Sequence, residues 1–214
     1  MPRGGEPPLS ELALLGEGSL LALSGIGRAA AAAAAQALID AGVSALMTFG
    51  MAGGLDPALK PGSVVIPCEL LASDGARYVA NPAWREQVAA AVSPLRAVTE
   101  GNLLTSTHAI ETPADKAAAF RATGAAAVDM ESAAVAAIAA QHNVPFIAVR
   151  VIVDTAADML PRAVVAASKA GRVRLARLIG GLILAPREIG SLVRLAQRYR
   201  IAMRSLRVIG AHLA

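Results

Sequence analysis

Aromatic residues are scarce in this 214-residue sequence, with three Phe, two Tyr and one Trp. A core must therefore be built from Ala, Leu, Val and Ile. The same scarcity argues against a surface that stacks nucleic-acid bases, and no recognised nucleic-acid motif occurs, so no nucleic-acid partner is expected. Cys68 is the only cysteine; an internal disulfide is excluded, and no Cys/His cluster has structural-zinc spacing. Cys68 reads as a small residue after a strand. No apolar run reaches the roughly 18 residues of a membrane-spanning helix. Residues 1–8 are rich in Pro and Gly and lack a basic-then-apolar leader pattern, so a cytoplasmic location is expected. Acidic residues are almost absent after residue 161. There, eleven Lys and Arg face one acid, Glu188, for a charge of +10, whereas the preceding part carries −6. A mildly acidic body thus carries a basic tail that calls for an anionic neighbour.

What is present is alternation. The alanine tract 29–35 sits in a predicted helix from Arg28 to Ala41, made of the best helix former and ended by Gly42. Val43 to Phe49 reads as a buried strand, and Ser63 to Pro67 as another. Asn81-Pro82 opens a helix to about Val92. Ala97 to Leu104 is a strand candidate, Thr112-Pro113 opens the next helix, and Ala126 to Val128 is strand-like. Met130 to Gln141 is helical, and Val144 to Val153 is a continuous apolar strand interrupted by Arg150. Strands alternating with helices predict an α/β single-domain layered fold with a mostly parallel central mixed sheet. Beyond Pro161 two helices are expected, 173–185 and 186–208. Residues 1–18 are expected to be loosely ordered, 19–170 to form the α/β domain, and 171–214 to be its basic helical extension.

Three segments lie at a strand end or a helix start, where open α/β sheets bind ligands. After the strand ending at Phe49 come Gly50, Met51, Ala52 and Gly53, then Gly54. Glycines there allow close approach of a ligand to backbone N–H groups. The spacing is not the dinucleotide fingerprint, and an ordinary turn remains an equal reading. Asp129, Met130 and Glu131 precede an Ala-rich helix, whose dipole by itself favours an acid at that end. Asp154 ends a deeply apolar strand. Burial favours its protonated form, which can act as a general acid; a helix N-cap is the alternative.

Order and spacing say more than any one segment. Ser24-Gly25-Ile26-Gly27-Arg28, Gly50-Met51-Ala52-Gly53-Gly54-Leu55, Leu59-Lys60-Pro61-Gly62-Ser63-Val64-Val65, Val128-Asp129-Met130-Glu131 and the strand ending in Asp154 resemble the successive motifs of the methylthioadenosine/adenosylhomocysteine nucleosidases and related purine nucleoside phosphorylases. The resemblance runs from about Ser24 to Asp158. Gly50 to Pro57, Asp129-Met130-Glu131-Ser132 and the Arg-rich C-terminus resemble more narrowly the hopanoid-associated phosphorylase branch.

The resemblance implies a nucleoside phosphorylase-like fold and cleavage of a purine–ribose bond. In the narrow branch this is release of adenine from adenosylhopane. Asp154 matches the general acid that protonates N7 of the leaving purine. Glu131 matches the residue that holds the ribose 2′ and 3′ hydroxyls, and Met130 packs on the sugar. Ala109 and Ile110 fall in the base-contacting segment, with Ala109 where relatives place an aromatic. Ile26 falls near the pocket for the 5′ substituent. No metal or organic cofactor is implied; inorganic phosphate or water is the acceptor. Two departures weaken a phosphate site: Met51 stands where relatives have Ser, and Thr48 where bacterial phosphorylases have Arg. A third concerns the start. Relatives open with a strand and a turn bearing a water-activating Glu, and none of Glu6, Glu11 and Glu17 has that context. Either the recorded start lies too far downstream, or that carboxylate is absent.

The family associates through faces near the active site, which implies a homo-oligomer. In the tail, Leu192, Leu195, Ala196, Tyr199, Met203 and Leu206 share one helical face, and most arginines lie off it. Such a helix can lie on an anionic membrane surface, placing the protein peripherally on the inner face; packing of the stripe on the body is the other reading. Competing functions are a hydrolytic nucleosidase for adenosine thioethers and a non-catalytic, membrane-docking nucleoside-binding protein.

Overall fold

The Asn81-Pro82 and Thr112-Pro113 pairs start helices as expected, because each first residue caps the helix and proline has no N–H to lose. Asn81 Oδ1 accepts from the Trp84 N–H at 2.9 Å and Thr112 Oγ1 from the Asp115 N–H at 3.1 Å. The structure, a computed structural model, describes residues 12–14, 18–25, 27–160 and 189–213. Its elements are β1 (Leu12–Leu14), β2 (Leu20–Ala22), α1 (Arg28–Asp40), β3 (Leu46–Gly54), β4 (Val64–Val65), β5 (Glu69–Ala72), β6 (Arg77–Val79), α2 (Pro82–Val92), β7 (Val98–Thr99), β8 (Asn102–Thr105), α3 (Pro113–Thr123), β9 (Ala125–Asp129), α4 (Ser132–Gln141), β10 (Phe146–Asp154) and α5 (Ile189–Leu213). The helix expected at 173–185 and most of the expected loose N-terminus lie outside the described residues. Leu12–Leu14 falls inside, and pairs antiparallel with Leu20–Ala22 in a small ribbon.

Eight strands form one mixed sheet in the order β6-β5-β8-β9-β3-β10-β4-β7. β10 runs parallel to β3, β8 to both β5 and β9, and β7 to β4, while the pairs β10–β4, β3–β9 and β5–β6 are antiparallel. The α/β layered reading is therefore the observed one. β10 is apolar apart from Arg150 and its terminal Asp154, because both its faces are covered. Successive side chains alternate: Ile147, Val149 and Val151 join α2 and α5, and Phe146, Ala148 and Ile152 join the other layer. In that other layer Ala35 of α1 meets Ala136 and Ala139 of α4. Side chains this small let the two helices lie close, which is how a sequence poor in aromatics closes its core.

Two expectations need correction. The glycines Gly50, Gly53 and Gly54 are not a loop after a strand, because β3 continues to Gly54. The tail helix covers its stripe only in part: Ala196 and Tyr199 are exposed, while Leu206 packs against the core. Its seat is Ala202, Ser205 and Ile209, all buried, with Leu206 and Leu213 beside them. Side-chain size decided this, since the small Ala202 and Ser205 let α5 come down onto the loop before β4.

Gly62 in that loop has φ +87°, and a Cβ there would lie 2.9 Å from Ile201 Cγ2 and 3.1 Å from Ser205 Oγ. Gly62→Ala should therefore lower the unfolding free energy by about 1–3 kcal/mol in urea titration. Unchanged stability would mean that α5 does not rest on this loop.

Candidate active site

Two acids end two strands of the sheet: Asp129 closes β9 and Asp154 closes β10, with the end of β3 between them. Both carboxyls are buried. The glycines of β3 make room for the second. A Cβ on Gly53 would stand 3.2 Å from Asp154 Oδ2, and one on Gly54 3.2 Å from the Asp154 carbonyl oxygen. The parallel register of β3 and β10 also slips between Ile152 and Asp154. Such an irregularity re-aims the side chain at a strand end.

Asp129 is committed to a buried network. Its Oδ2 accepts from Arg150 Nε at 2.9 Å and from the Ser132 hydroxyl, and its Oδ1 accepts from Thr105 Oγ1 at 2.8 Å. Arg150 also donates to Ser132 Oγ and Thr48 Oγ1, each at 2.7 Å, and to the Val149 carbonyl at 3.1 Å. The Arg150 that interrupts the apolar strand is thereby explained: it neutralises Asp129 and ties β10 to β3 and to the start of α4.

Asp154 meets Lys116 of α3, which is fully buried. The Lys116 ammonium donates to Asp154 Oδ2, to the Thr155 carbonyl at 2.9 Å and to the Asp158 carbonyl at 3.0 Å. Burial pushes the Asp154 carboxyl above its ordinary proton affinity, the Lys116 charge and hydrogen bond pull it back in part, and the net direction is upward. Asp158 goes the other way. Burial acts to raise it, but Arg198 of α5 and hydrogen bonds from Thr155 outweigh that and hold it below the ordinary carboxylate range.

Glu131, half-buried at the N-cap of α4, accepts from the Gly27 N–H at 3.0 Å. Its carboxylate thus sits at the start of two helices, α1 and α4, where the dipoles favour negative charge. A cavity of about 200 Å³ opens beside it, lined by Met51, Ala52, Gly53, His108, Ala109, Ile110, Val128, Asp129, Met130, Glu131, Val153, Asp154 and Leu160. Nine of the expected site residues meet there: Asp154, Glu131, Met130, Asp129, Met51, Ala52, Gly53, Ala109 and Ile110. Gly50 stands off the cavity and faces the Arg150 guanidinium, 3.4 Å from where its Cβ would be. Ile26 lies outside the described residues. Sequence reasoning missed His108, Val153, Leu160 and Lys116. Nothing in the run Asp115-Lys116-Ala117 distinguishes a buried lysine from a solvated one; its partner is 38 residues away. Among the described residues no three His, Cys, Asp or Glu side chains are grouped to hold a metal ion.

This arrangement brings a buried carboxyl of raised proton affinity, Asp154, and the half-buried Glu131 carboxylate to the same small volume. Its integrity depends on the Asp129–Arg150 pair. Arg150→Met should cost about 3–5 kcal/mol in denaturant unfolding, because it leaves a carboxylate buried without its cation. A loss below about 1 kcal/mol would remove this pair from its structural role.

Comparison with known proteins fits the same frame. Residues 11–184 match the phosphorylase superfamily. A 5′-methylthioadenosine/S-adenosylhomocysteine nucleosidase of Shewanella denitrificans is 31% identical over 169 residues, covering 69% of this chain and 73% of its own. The crystal structure of the nucleosidase of that name from Colwellia psychrerythraea, in complex with adenine, superposes with a TM-score of 0.60 at 26% identity, over 76% of this chain and 78% of that one. A futalosine hydrolase of Helicobacter pylori shares the fold, with a TM-score of 0.61 at 19% identity over 75% of this chain and 79% of its own. From the extent of the first match and the identity of the second, this chain belongs to the phosphorylase superfamily.

Proposed function

We propose that this protein cleaves the N-glycosidic bond of a purine nucleoside. The observation that carries the reading is one buried acid, Asp154, whose carboxyl is pushed towards its protonated form on the wall of the cavity that Glu131 also lines. A purine leaves poorly as an anion. In the proposed reaction the C1′–N9 bond breaks with its electron pair going to the base, and N7 takes the Asp154 proton. Positive charge develops on the ribose, and an ionised Glu131 at the sugar hydroxyls has the right sign to stabilise it. An oxygen of phosphate, or of water that gives up a proton to solvent, then bonds to C1′, and a solvent proton restores Asp154. The relatives named as nucleosidases, one of them holding adenine, support this chemistry.

Within it we assign the substrate as adenosylhopane, on the resemblance of Gly50 to Pro57, of Asp129-Met130-Glu131-Ser132 and of the Arg-rich tail to the hopanoid-associated branch. Exposed Arg200, Arg204 and Arg207 on α5, beside exposed Tyr199, Ile201 and Val208, suit contact with an anionic membrane surface, where a lipid-linked nucleoside would be met. No described helix is long and apolar enough to cross a membrane. A second reading, hydrolysis of adenosine thioethers, is favoured by the 31% identity to a methylthioadenosine/adenosylhomocysteine nucleosidase. Met51 favours water over phosphate in either case, since it brings neither a cation nor a hydroxyl to an anion, and Thr48 is not among the residues lining the cavity. Thr48 Oγ1 already accepts from Arg150.

The test is adenine release from adenosylhopane and from methylthioadenosine, with and without phosphate, as a function of pH. Activity needs the protonated Asp154. It should hold at lower pH and fall as pH rises through the Asp154 pKa, which burial shifts upward. Asp154→Asn should cost roughly 10²–10⁴-fold in kcat and lose this alkaline limb. Release unaffected by Asp154→Asn would overturn the proposed acid. Separately, the triple variant Arg200→Glu, Arg204→Glu, Arg207→Glu should abolish sedimentation with anionic vesicles; equal binding by the variant would refute the membrane contact.

A further inference from the structure

Lys116 combines two properties that seldom meet. It is fully buried, and its three N–H donors meet three oxygens: Asp154 Oδ2, the Thr155 carbonyl and the Asp158 carbonyl. An ammonium so placed has given up its water and has no rotational freedom left. A lysine serving only to join α3 to the chain after β10 could be satisfied by backbone carbonyls. This one also grips the carboxyl that lines the cavity.

We propose that Lys116 is the positioning residue for Asp154, holding Oδ2 so that Oδ1 is the oxygen presented to the leaving base. The proposal rests on the reading of Asp154 as the general acid. It also gives that acid a balance. Burial alone would make the carboxyl keep its proton too firmly for transfer, and the adjacent cation restores its willingness to give it up. The other charged groups leave Lys116 in that role. Asp158 is paired with Arg198 of α5, and Arg194 shares the recess behind Asp154 with Arg198. On the cavity side, Asp129 is paired with Arg150 and Glu131 bonds to Gly27. From β3, Gly53 lies against the carboxyl, and His108 shares the cavity lining.

The test uses the full chain and Lys116→Met, which keeps length and removes charge. Carbon-13 titration of the Asp154 carboxyl, assigned with Asp154→Asn, should move to higher pH by roughly one pH unit or more. The alkaline limb of kcat/KM should move with it. On a nucleoside, kcat should fall roughly tenfold or more while KM changes by less than about threefold. On 4-nitrophenyl riboside, whose leaving group needs no proton, the variant should match the wild type. A merely structural lysine would lower both activities alike and leave the titration where it was, and that result overturns the proposal. Should the variant not fold, the wild type decides. The nitrogen-15 shift of Lys116 Nζ must report the Asp154 titration at the same midpoint, and an Nζ that ignores it overturns the proposal as well. A wild-type chain that releases no base from any nucleoside overturns the underlying functional reading, and the role of Lys116 with it. Release that depends on Asp154, with an unmoved limb in Lys116→Met, overturns the proposal alone.

Discussion

A carboxylate taken out of water must be given a cation or a proton. The ends of β9 and β10, on either side of β3, show both solutions. Asp129 receives a cation, Arg150, which sits in the middle of an otherwise apolar strand. Asp154 is pushed towards its protonated form, with Lys116 opposing the push. The proposed reaction follows from this difference. The first acid is silenced and becomes a fastener between strands and the start of α4. The second has a raised proton affinity, and in the proposed reaction it is the group that gives up a proton.

The fastener also sets the position of Glu131. Because Asp129 binds the Ser132 hydroxyl and backbone N–H, the chain between them is fixed, and Met130 and Glu131 must turn to the cavity. Gly27 then meets Glu131 from the start of α1. Three elements, β9, α1 and α4, thus converge on one small volume, and the alanine-rich contact between α1 and α4 brings two of them close enough. On the far side, α5 reaches the turn after β10 through Arg198 and Asp158. A helix from the basic tail is therefore part of the frame that holds the acid, besides offering its exposed arginines outward.

Much of this was legible in the sequence where local chemistry decides structure. Asn81-Pro82 and Thr112-Pro113 carry their own helix starts, and the apolar run 144–153, interrupted by Arg150, reads as a strand. The expected site residues lie at strand ends and helix starts, so most of them share the cavity. Long-range choices were not legible. Nothing near Lys116 announces Asp154. Glu69–Ala72 and Arg77–Val79 are too short to show a period. Gly50, Gly53 and Gly54 read as loop because glycine weakens strands, yet here they continue one so that a carboxyl can lie against it. The stripe on α5 was misjudged because hydrophobicity was weighed and side-chain size was not.

The central claim is that Asp154 and Glu131 address opposite parts of one purine nucleoside. The most direct measurement is a crystal structure of the chain with adenosine or a non-cleavable analogue bound. The account predicts N7 of the base within hydrogen-bond distance of Asp154 Oδ1, and the ribose 2′ and 3′ hydroxyls on Glu131. A nucleoside bound with its base away from Asp154, or its sugar away from Glu131, would contradict it.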